Sequence, residues 1–286
     1  MATITAGMVK ELRERTGAGM MDCKTALTEN GGDLEAAIDW LRQKGLSKAA
    51  RKAGRATSEG LIGCFVGEGS QAAALAEVQC ETDFVARNEA FRAFAAAAAA
   101  RVFDRNPADA AVLDALLGDE LRNLIATLGE NMSLGRFARL EAQQGCIGSY
   151  VHSNGKIGVL VEVLCQNPAT AGDPGLLELA HNLAMQLAAT GAAALDPAGL
   201  DPALVARERE IQRQKTLDEG KPAHIADKIV EGRIQKFYQE VCLLEQAYIR
   251  DDKVLIRDLV RARAESLGDA LRVGRFVRLQ LGEETA

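Results

Sequence analysis

A carboxylate stands beside an aromatic ring at Asp83-Phe84, inside the run Glu77-Val78-Gln79-Cys80-Glu81-Thr82-Asp83-Phe84-Val85-Ala86-Arg87-Asn88. The residues before this pair read as a strand and those after it as a helix. A Phe at such a junction either closes its own core or enters someone else's, and an acid next to it adds charge or an acceptor there. Asp83 also suits the N-cap of the following helix. A third chemistry would pair Asp83 with His152 or His181 in a small hydrolase. No nucleophile motif, metal cluster or oxyanion loop accompanies those residues, so the sequence speaks against it.

Other reaction centres are missing too. The six cysteines, at 23, 64, 80, 146, 165 and 242, are too far apart for a zinc pair and read as reduced buried thiols. The three histidines, at 152, 181 and 224, are scattered. Gly155-Lys156 looks like the end of a phosphate loop, but Ile157 follows where magnesium would need Ser or Thr. No cofactor is expected. A net charge of -6 argues against nucleic acid as a direct partner. No apolar run is long enough to span a membrane. The start, Met1-Ala2-Thr3-Ile4-Thr5, has no signal character, which predicts a cytoplasmic protein.

The elements that must carry Asp83 and Phe84 come in three kinds. Residues 1–45 read as a small three-helix module. Thr5 caps a helix with Met8, Val9 and Leu12 on one face, and Thr16-Gly17-Ala18-Gly19 breaks it. Asp22 opens a second helix that ends near Asn30-Gly31-Gly32. Asp33 caps a third, carrying Leu34, Ala37, Ile38 and Leu41, and Gly45 stops it. Met20 and Met21 suit either the module core or an adaptable binding surface. Residues 46–58 are a basic linker or helix extension (Lys48, Arg51, Lys52, Arg55) without the interleaved aromatics of a nucleic-acid patch.

A repeat organises the rest. Moved by 85 positions, Ile62, Gly63, Val66, Leu75, Glu77, Val78 and Cys80 meet identical residues at 147, 148, 151, 160, 162, 163 and 165. Each copy reads as strand, turn, strand, helix, with Asn154-Gly155 a hairpin turn in the second. A second match, Gly135-Arg136-Phe137-Ala138-Arg139-Leu140 with Gly274-Arg275-Phe276-Val277-Arg278-Leu279, needs a shift of 139. The difference is an insertion in the second copy. The predicted fold is therefore α+β, with two related subdomains, each a three-stranded antiparallel sheet with helices on one face. Their bounds are 59–141 for the first and 142–195 plus 243–286 for the second. The insertion, 196–242, reads as an antiparallel helical hairpin, from Pro202 to about Leu217 and from Pro222 to about Val241, joined at Glu219-Gly220-Lys221-Pro222. Its free face would meet a partner or a second copy.

At Thr82-Asp83-Phe84-Val85, and at Leu12-Arg13-Glu14-Arg15-Thr16-Gly17-Ala18-Gly19-Met20-Met21-Asp22-Cys23-Lys24, the chain closely resembles the bacterial elongation factor Ts family. The likeness covers essentially the whole chain, and both motifs are long and specific. It implies a guanine-nucleotide exchange factor of translation, without covalent chemistry, that acts on the GTPase elongation factor Tu. It implies that Thr82, Asp83, Phe84 and Val85 dislodge Mg²⁺ from the partner's nucleotide site. A UBA-like N-terminal module would dock on the GTPase domain through Leu12, Arg13, Met20 and Met21. His152, in the second subdomain, would approach another domain of the partner, and the inserted coiled-coil arm would touch the GTPase or build a homodimer or 2:2 complex.

Three departures qualify the resemblance. Gln79 stands where the family usually has Asn, and Gln246-Ala247-Tyr248-Ile249 where many members have Gln-Pro-Phe-Val. The chain has no room after Leu281 for the extra C-terminal helix of some members. The rival within the same partner class is an adaptor that binds a translational GTPase without changing nucleotide release.

Overall fold

The computed structural model describes residues 3–220 and 222–283. Met1, Ala2, Lys221 of the predicted hairpin turn and the last three residues of the 243–286 segment lie outside the described residues, as do the side chains of Leu46, Lys48, Ala49, Ala50, Ala223 and His224.

Three helices come first: α1 (Ala6–Thr16), α2 (Met20–Glu29) and α3 (Leu34–Lys52). Thr5 caps α1, accepting the Met8 N–H at 3.3 Å, and Gly17 closes it at φ 67°. Asp33 caps α3 through the Ala36 N–H at 2.9 Å. Helix α2 opens at Met20, with Gly19 as its cap, ahead of the predicted start at Asp22. Helix α3 does not stop at Gly45. It continues to Lys52, so the first part of the 46–58 segment, read as a linker or helix extension, is helical. Gly45 answers a packing need instead, since a Cβ there would lie 3.0 Å from the Cβ of Ala126.

The first copy of the repeat contains β1 (Glu59–Val66), β2 (Ala72–Cys80), the single-turn α4 (Asp83–Ala86), α5 (Glu89–Arg105), α6 (Ala110–Leu128) and β3 (Met132–Glu141). The second contains β4 (Gly145–Val151), β5 (Ile157–Cys165), α7 (Pro174–Thr190), the hairpin α8 (Pro202–Asp218) and α9 (Ala223–Val241), the small pair β6 (Ala247–Tyr248) and β7 (Asp251–Leu255), α10 (Ile256–Leu267) and β8 (Leu271–Gln280). The sheets run β1-β2-β3 and β4-β5-β8, both antiparallel. The α+β class and the three-stranded sheets are as the sequence predicts.

Alternation along β2 explains the layering. Ala74, Ala76, Val78 and Cys80 pack on one side against Phe91, Leu117 and their neighbours on α5 and α6. Ala73 and Leu75 point the other way, to a second core shared with Ile147 and Leu160 of the other sheet. The two sheets thus pack face to face, and each carries its helices on the outer side. Within the inserted hairpin, Ala226, Val230 and Ile234 are buried on α9, while Thr216 is the buried residue of α8. Leu204, Ile211 and Leu217 of α8 are exposed.

Identities in the repeat have structural duties. A Cβ on Gly63 would sit 2.0 Å from the Ala95 carbonyl oxygen, and one on Gly148 would sit 2.2 Å from that of Ala180, so glycine lets each helix cross its sheet closely. Cys80 Sγ donates to the Thr82 carbonyl at 3.2 Å, and Cys165 Sγ to that of Asn167 at 3.3 Å. Glu77 and Glu162 are buried acids at matching breaks in strand register, between Ala76 and Val78 and between Val161 and Val163. Arg136 Nε meets Glu77 at 2.8 Å, and Arg275 Nη2 meets Glu162 at 3.1 Å. Among the described residues no helix is long and apolar enough to cross a membrane.

Candidate functional site

Strand β2 ends at Cys80, and the chain turns at once into α4. The cap is Thr82, extended at φ -128° and ψ 156°, whose hydroxyl oxygen accepts the Val85 N–H at 3.4 Å. Asp83, expected as the cap, is instead the first residue inside the turn. There it forms a 2.9 Å ion pair with Arg87, one turn on. Val85 and Ala86 face inward and join the core of the first subdomain. Helical geometry then turns Phe84 away from that core, and its side chain is 82% exposed. Asn88 caps α5 through the Ala90 N–H at 2.9 Å, so the backbone is fixed again directly after the turn. Single exposed apolar residues are ordinary on protein surfaces. Phe84 differs because its backbone is locked on both sides while its ring has no partner in its own core.

Glu130, in the loop between α6 and β3, belongs to no motif that sequence reasoning picks out, yet it grips the turn. Its carboxylate accepts the Thr82 N–H at 3.0 Å and the Thr82 hydroxyl at 2.6 Å. The neighbouring residues return the contact: Glu81 accepts the Asn131 N–H, and the Asn131 side-chain amide donates to the Arg55 carbonyl at 2.7 Å. Lys52 at the end of α3 donates to the Gly129 carbonyl of the same loop. Gln79 ties the strands beneath, accepting from Thr57 at 3.2 Å and Ser133 at 3.1 Å. The sequence signal that could have found Glu130 is the match of Leu128-Gly129 with Leu267-Gly268, because the next residues, Glu130 and Asp269, are both acids.

Asp83 and Arg87 line a cleft of ≈ 740 Å³ together with Glu59, Arg92, His152 and Lys156. The β4–β5 hairpin forms its far wall, anchored by the Ile62 N–H donating to the Gly155 carbonyl at 2.7 Å. His152 is exposed at the rim, with Nδ1 3.2 Å from the Tyr150 hydroxyl. His181 is exposed as well, 2.9 Å from the Ser149 carbonyl. No hydrogen bond or ion pair joins Asp83 to His152 among the described residues. The cleft therefore brings the two residues to one surface without building an acid–base pair.

The helical module presents a second surface. Met20 and Met21 are 59% and 72% exposed, and they line a groove of ≈ 410 Å³ with Val9, Arg13 and Lys24. Leu12 breaks the expectation for this motif. It is fully buried against Cys23, Ala26, Leu27 and Ala37 and holds the module together from inside. Adjacent helical residues point about 100° apart, so Arg13 reaches the surface where Leu12 cannot.

Comparison with known proteins agrees with this picture. The family model described as "Elongation factor TS" matches residues 81–283. The chain is 57% identical over 284 residues to elongation factor Ts of Nitratidesulfovibrio vulgaris strain Hildenborough, covering 99% of this chain and 97% of that one. It is 56% identical to elongation factor Ts of Desulfovibrio desulfuricans, with 99% and 100% covered, and 46% identical to that of Symbiobacterium thermophilum, with 99% and 93% covered.

Proposed function

The chain belongs to the elongation factor Ts family, and from that premise we propose that it is a guanine-nucleotide exchange factor acting on elongation factor Tu in the cytoplasm. The observation that carries this reading is Phe84, an aromatic side chain 82% exposed on a turn whose backbone is held at both ends. Phe84 enters an apolar gap beside the partner's magnesium site and displaces the elements that order it. Asp83 brings a charge that the loaded site does not tolerate. Mg²⁺ leaves, phosphate repulsion is unmasked, and GDP follows.

The magnitudes require more than one contact. Nanomolar nucleotide binding corresponds to roughly 12 kcal/mol. Speeding release about ten-thousand-fold lowers the barrier by about 5.5 kcal/mol. Burying one Phe supplies about 1.5–3 kcal/mol. The Arg13, Met20 and Met21 groove and the His152 rim provide the remaining binding energy and hold the ring in place. Linkage sets the rest: a factor that prefers the empty GTPase is itself weakened by bound nucleotide to the same extent. The factor speeds equilibration, and the cellular excess of GTP gives it direction. The exposed Leu204, Ile211 and Leu217 of the arm supply a contact for the GTPase or for a second copy, and light scattering of the complex separates the two as a 1:1 or a 2:2 assembly.

The test loads elongation factor Tu with fluorescent GDP, adds this chain and follows dissociation by stopped flow. The proposal expects release to accelerate by orders of magnitude. Binding without acceleration would identify an adaptor instead.

A further inference from the structure

We propose that Glu130 is a positioning residue that presets the Phe84 ring for entry into the partner. The inference rests on the reading of Phe84 as the exchange wedge. Thr82 has a single hydroxyl proton. Giving it to Glu130 at 2.6 Å leaves the oxygen's lone pairs aimed at the Val85 N–H, so one carboxylate fixes both the cap and the turn it starts. The same carboxylate takes the Thr82 N–H at 3.0 Å. Both bonds are charge-assisted and so stronger than neutral ones. The carboxylate lies on a loop that Lys52 and Arg55 tie to the end of α3, and the ring is thereby referenced to the helical module as well as to its own sheet.

The second copy supplies an internal control. Asp269 stands at the place of Glu130, shifted by 139, and Asn167 at the place of Thr82, shifted by 85. Asp269 accepts the Asn167 N–H at 3.0 Å and the Gln166 N–H at 3.2 Å. Asn167 caps a 3-10 turn, Pro168–Gly172, and Ala169 occupies the position of Phe84. The molecule thus has an acid holding each turn, through the Thr82 N–H and hydroxyl in the first copy and through two backbone N–H groups in the second, and a ring on only one of them. Loss of either clamp should loosen its own turn, but only the first can disturb exchange.

In the docked complex an unclamped turn must be ordered before the ring can enter, and freezing the backbone of one residue reduces the productive fraction roughly 5- to 30-fold. The experiment uses the full chain with Glu130→Gln, Asp269→Asn and Phe84→Ala. It measures the maximal GDP release rate, the factor concentration at half-maximal rate, and amide hydrogen exchange at residues 82–87 without partner. Glu130→Gln should lower the maximal rate roughly 5- to 30-fold, leave the half-maximal concentration within about 3-fold, and speed amide exchange at Thr82 and Val85. Asp269→Asn should leave the release rate unchanged. A wild-type maximal rate in Glu130→Gln, or an equal loss in Asp269→Asn, overturns the inference. Should Glu130→Gln not fold, Thr82→Val takes its place, since it keeps the shape and removes the donated hydroxyl; the same loss of rate is expected, and a wild-type rate overturns the inference. Phe84→Ala at the wild-type rate would instead bring down the wedge reading itself, and this inference with it.

Discussion

Arg136 and Arg275 each fasten the closing strand of the other's sheet. Arg136, on β3, binds the buried Glu77 and also donates to the Gln280 carbonyl at the end of β8. Arg275, on β8, binds the buried Glu162 and donates to the Glu141 carbonyl at the end of β3, at 3.1 Å. The residues exchanged differ by the same 139 positions, so the contact is reciprocal. The buried acids lie on the sheet faces that meet in the middle of the molecule. Each arginine therefore neutralises its own acid and secures the neighbouring sheet at once.

Removing one partner of such a pair leaves an unpaired charge behind. Glu77 is 2% exposed, so Arg136→Met should destabilise the chain by about 3 kcal/mol in urea unfolding. Glu77→Gln combined with Arg136→Met should recover part of that loss, because no buried charge is then left alone. Additive losses in the double variant would mean that the packing of Arg136, and not its charge, matters.

Gly63→Ala and Gly148→Ala should be costly for a steric reason. The new methyl carbon would lie 2.0 Å from one backbone carbonyl oxygen and 2.2 Å from the other, and only movement of α5 or α7 off its sheet relieves this. We expect about 1–3 kcal/mol for each, at the upper end of that range, read from the urea midpoint at constant slope. Gly69→Ala is the informative companion. It has open space but φ 66°, so any loss there reports backbone strain alone.

Leu12 and Met21 are close in sequence and should behave in opposite ways. Leu12→Ala opens a cavity in a small core and should cost about 2–5 kcal/mol, detected as local amide exchange throughout α1–α3. Met21→Ala removes an exposed side chain and should leave exchange protection intact while weakening binding to elongation factor Tu. Calorimetric titration against the nucleotide-free GTPase checks the second half.

Phe84→Ala should change stability by less than about 0.5 kcal/mol, because the ring buries almost nothing in the free chain. Its effect should fall on stimulated GDP release far more than on formation of the complex. Equal losses in both would make Phe84 an anchor and not a wedge.

The thiols give a pH dependence of known sign. Burial pushes Cys64 and Cys242 up to about 11, and Cys146 up to about 12 with Cys165 adding to it. Burial, then the Glu130 charge, pushes Cys80 up to about 12. The native state keeps these protons where the unfolded chain, with thiols near 9.0, releases them. The contribution to stability is whole below pH 9.0 and is lost as pH rises towards 11 and 12. Melting temperature should fall across that interval, and a thiol reagent at pH 8 should label the folded chain much more slowly than the unfolded one.

Much of this architecture is legible because the repeat preserves residues with strict duties. Gly63, Glu77 and Cys80 recur in sequence because a helix crossing, a buried acid and a thiol cap recur in space. The inserted helices are readable from turn chemistry at Glu219-Gly220 and from helical spacing. Other features leave no local trace. The grip of Glu130 on Thr82 spans 48 residues, and hydropathy periodicity does not report such contacts. Helix α4 is a single turn, too short for a period, which is why sequence alone puts the cap on Asp83 and not on Thr82. Gly45 reads as a stop signal, but a glycine mid-helix also serves a close neighbour, and only the position of Ala126 decides between the two. Motif likeness carries Leu12 to the surface, although its spacing with Met8 and Val9 already places it on the inner face.

The vacant turn at Pro168–Gly172 makes the protein a chassis with two mounts and one tool. Ala169 marks the empty mount, already braced by Asp269 as the occupied one is by Glu130. Selection acting on the ringless mount is free to fit it to a different neighbour without dulling the first. An engineer has the same freedom, since a side chain installed at 169 would start from a rigid socket and not from a loose loop.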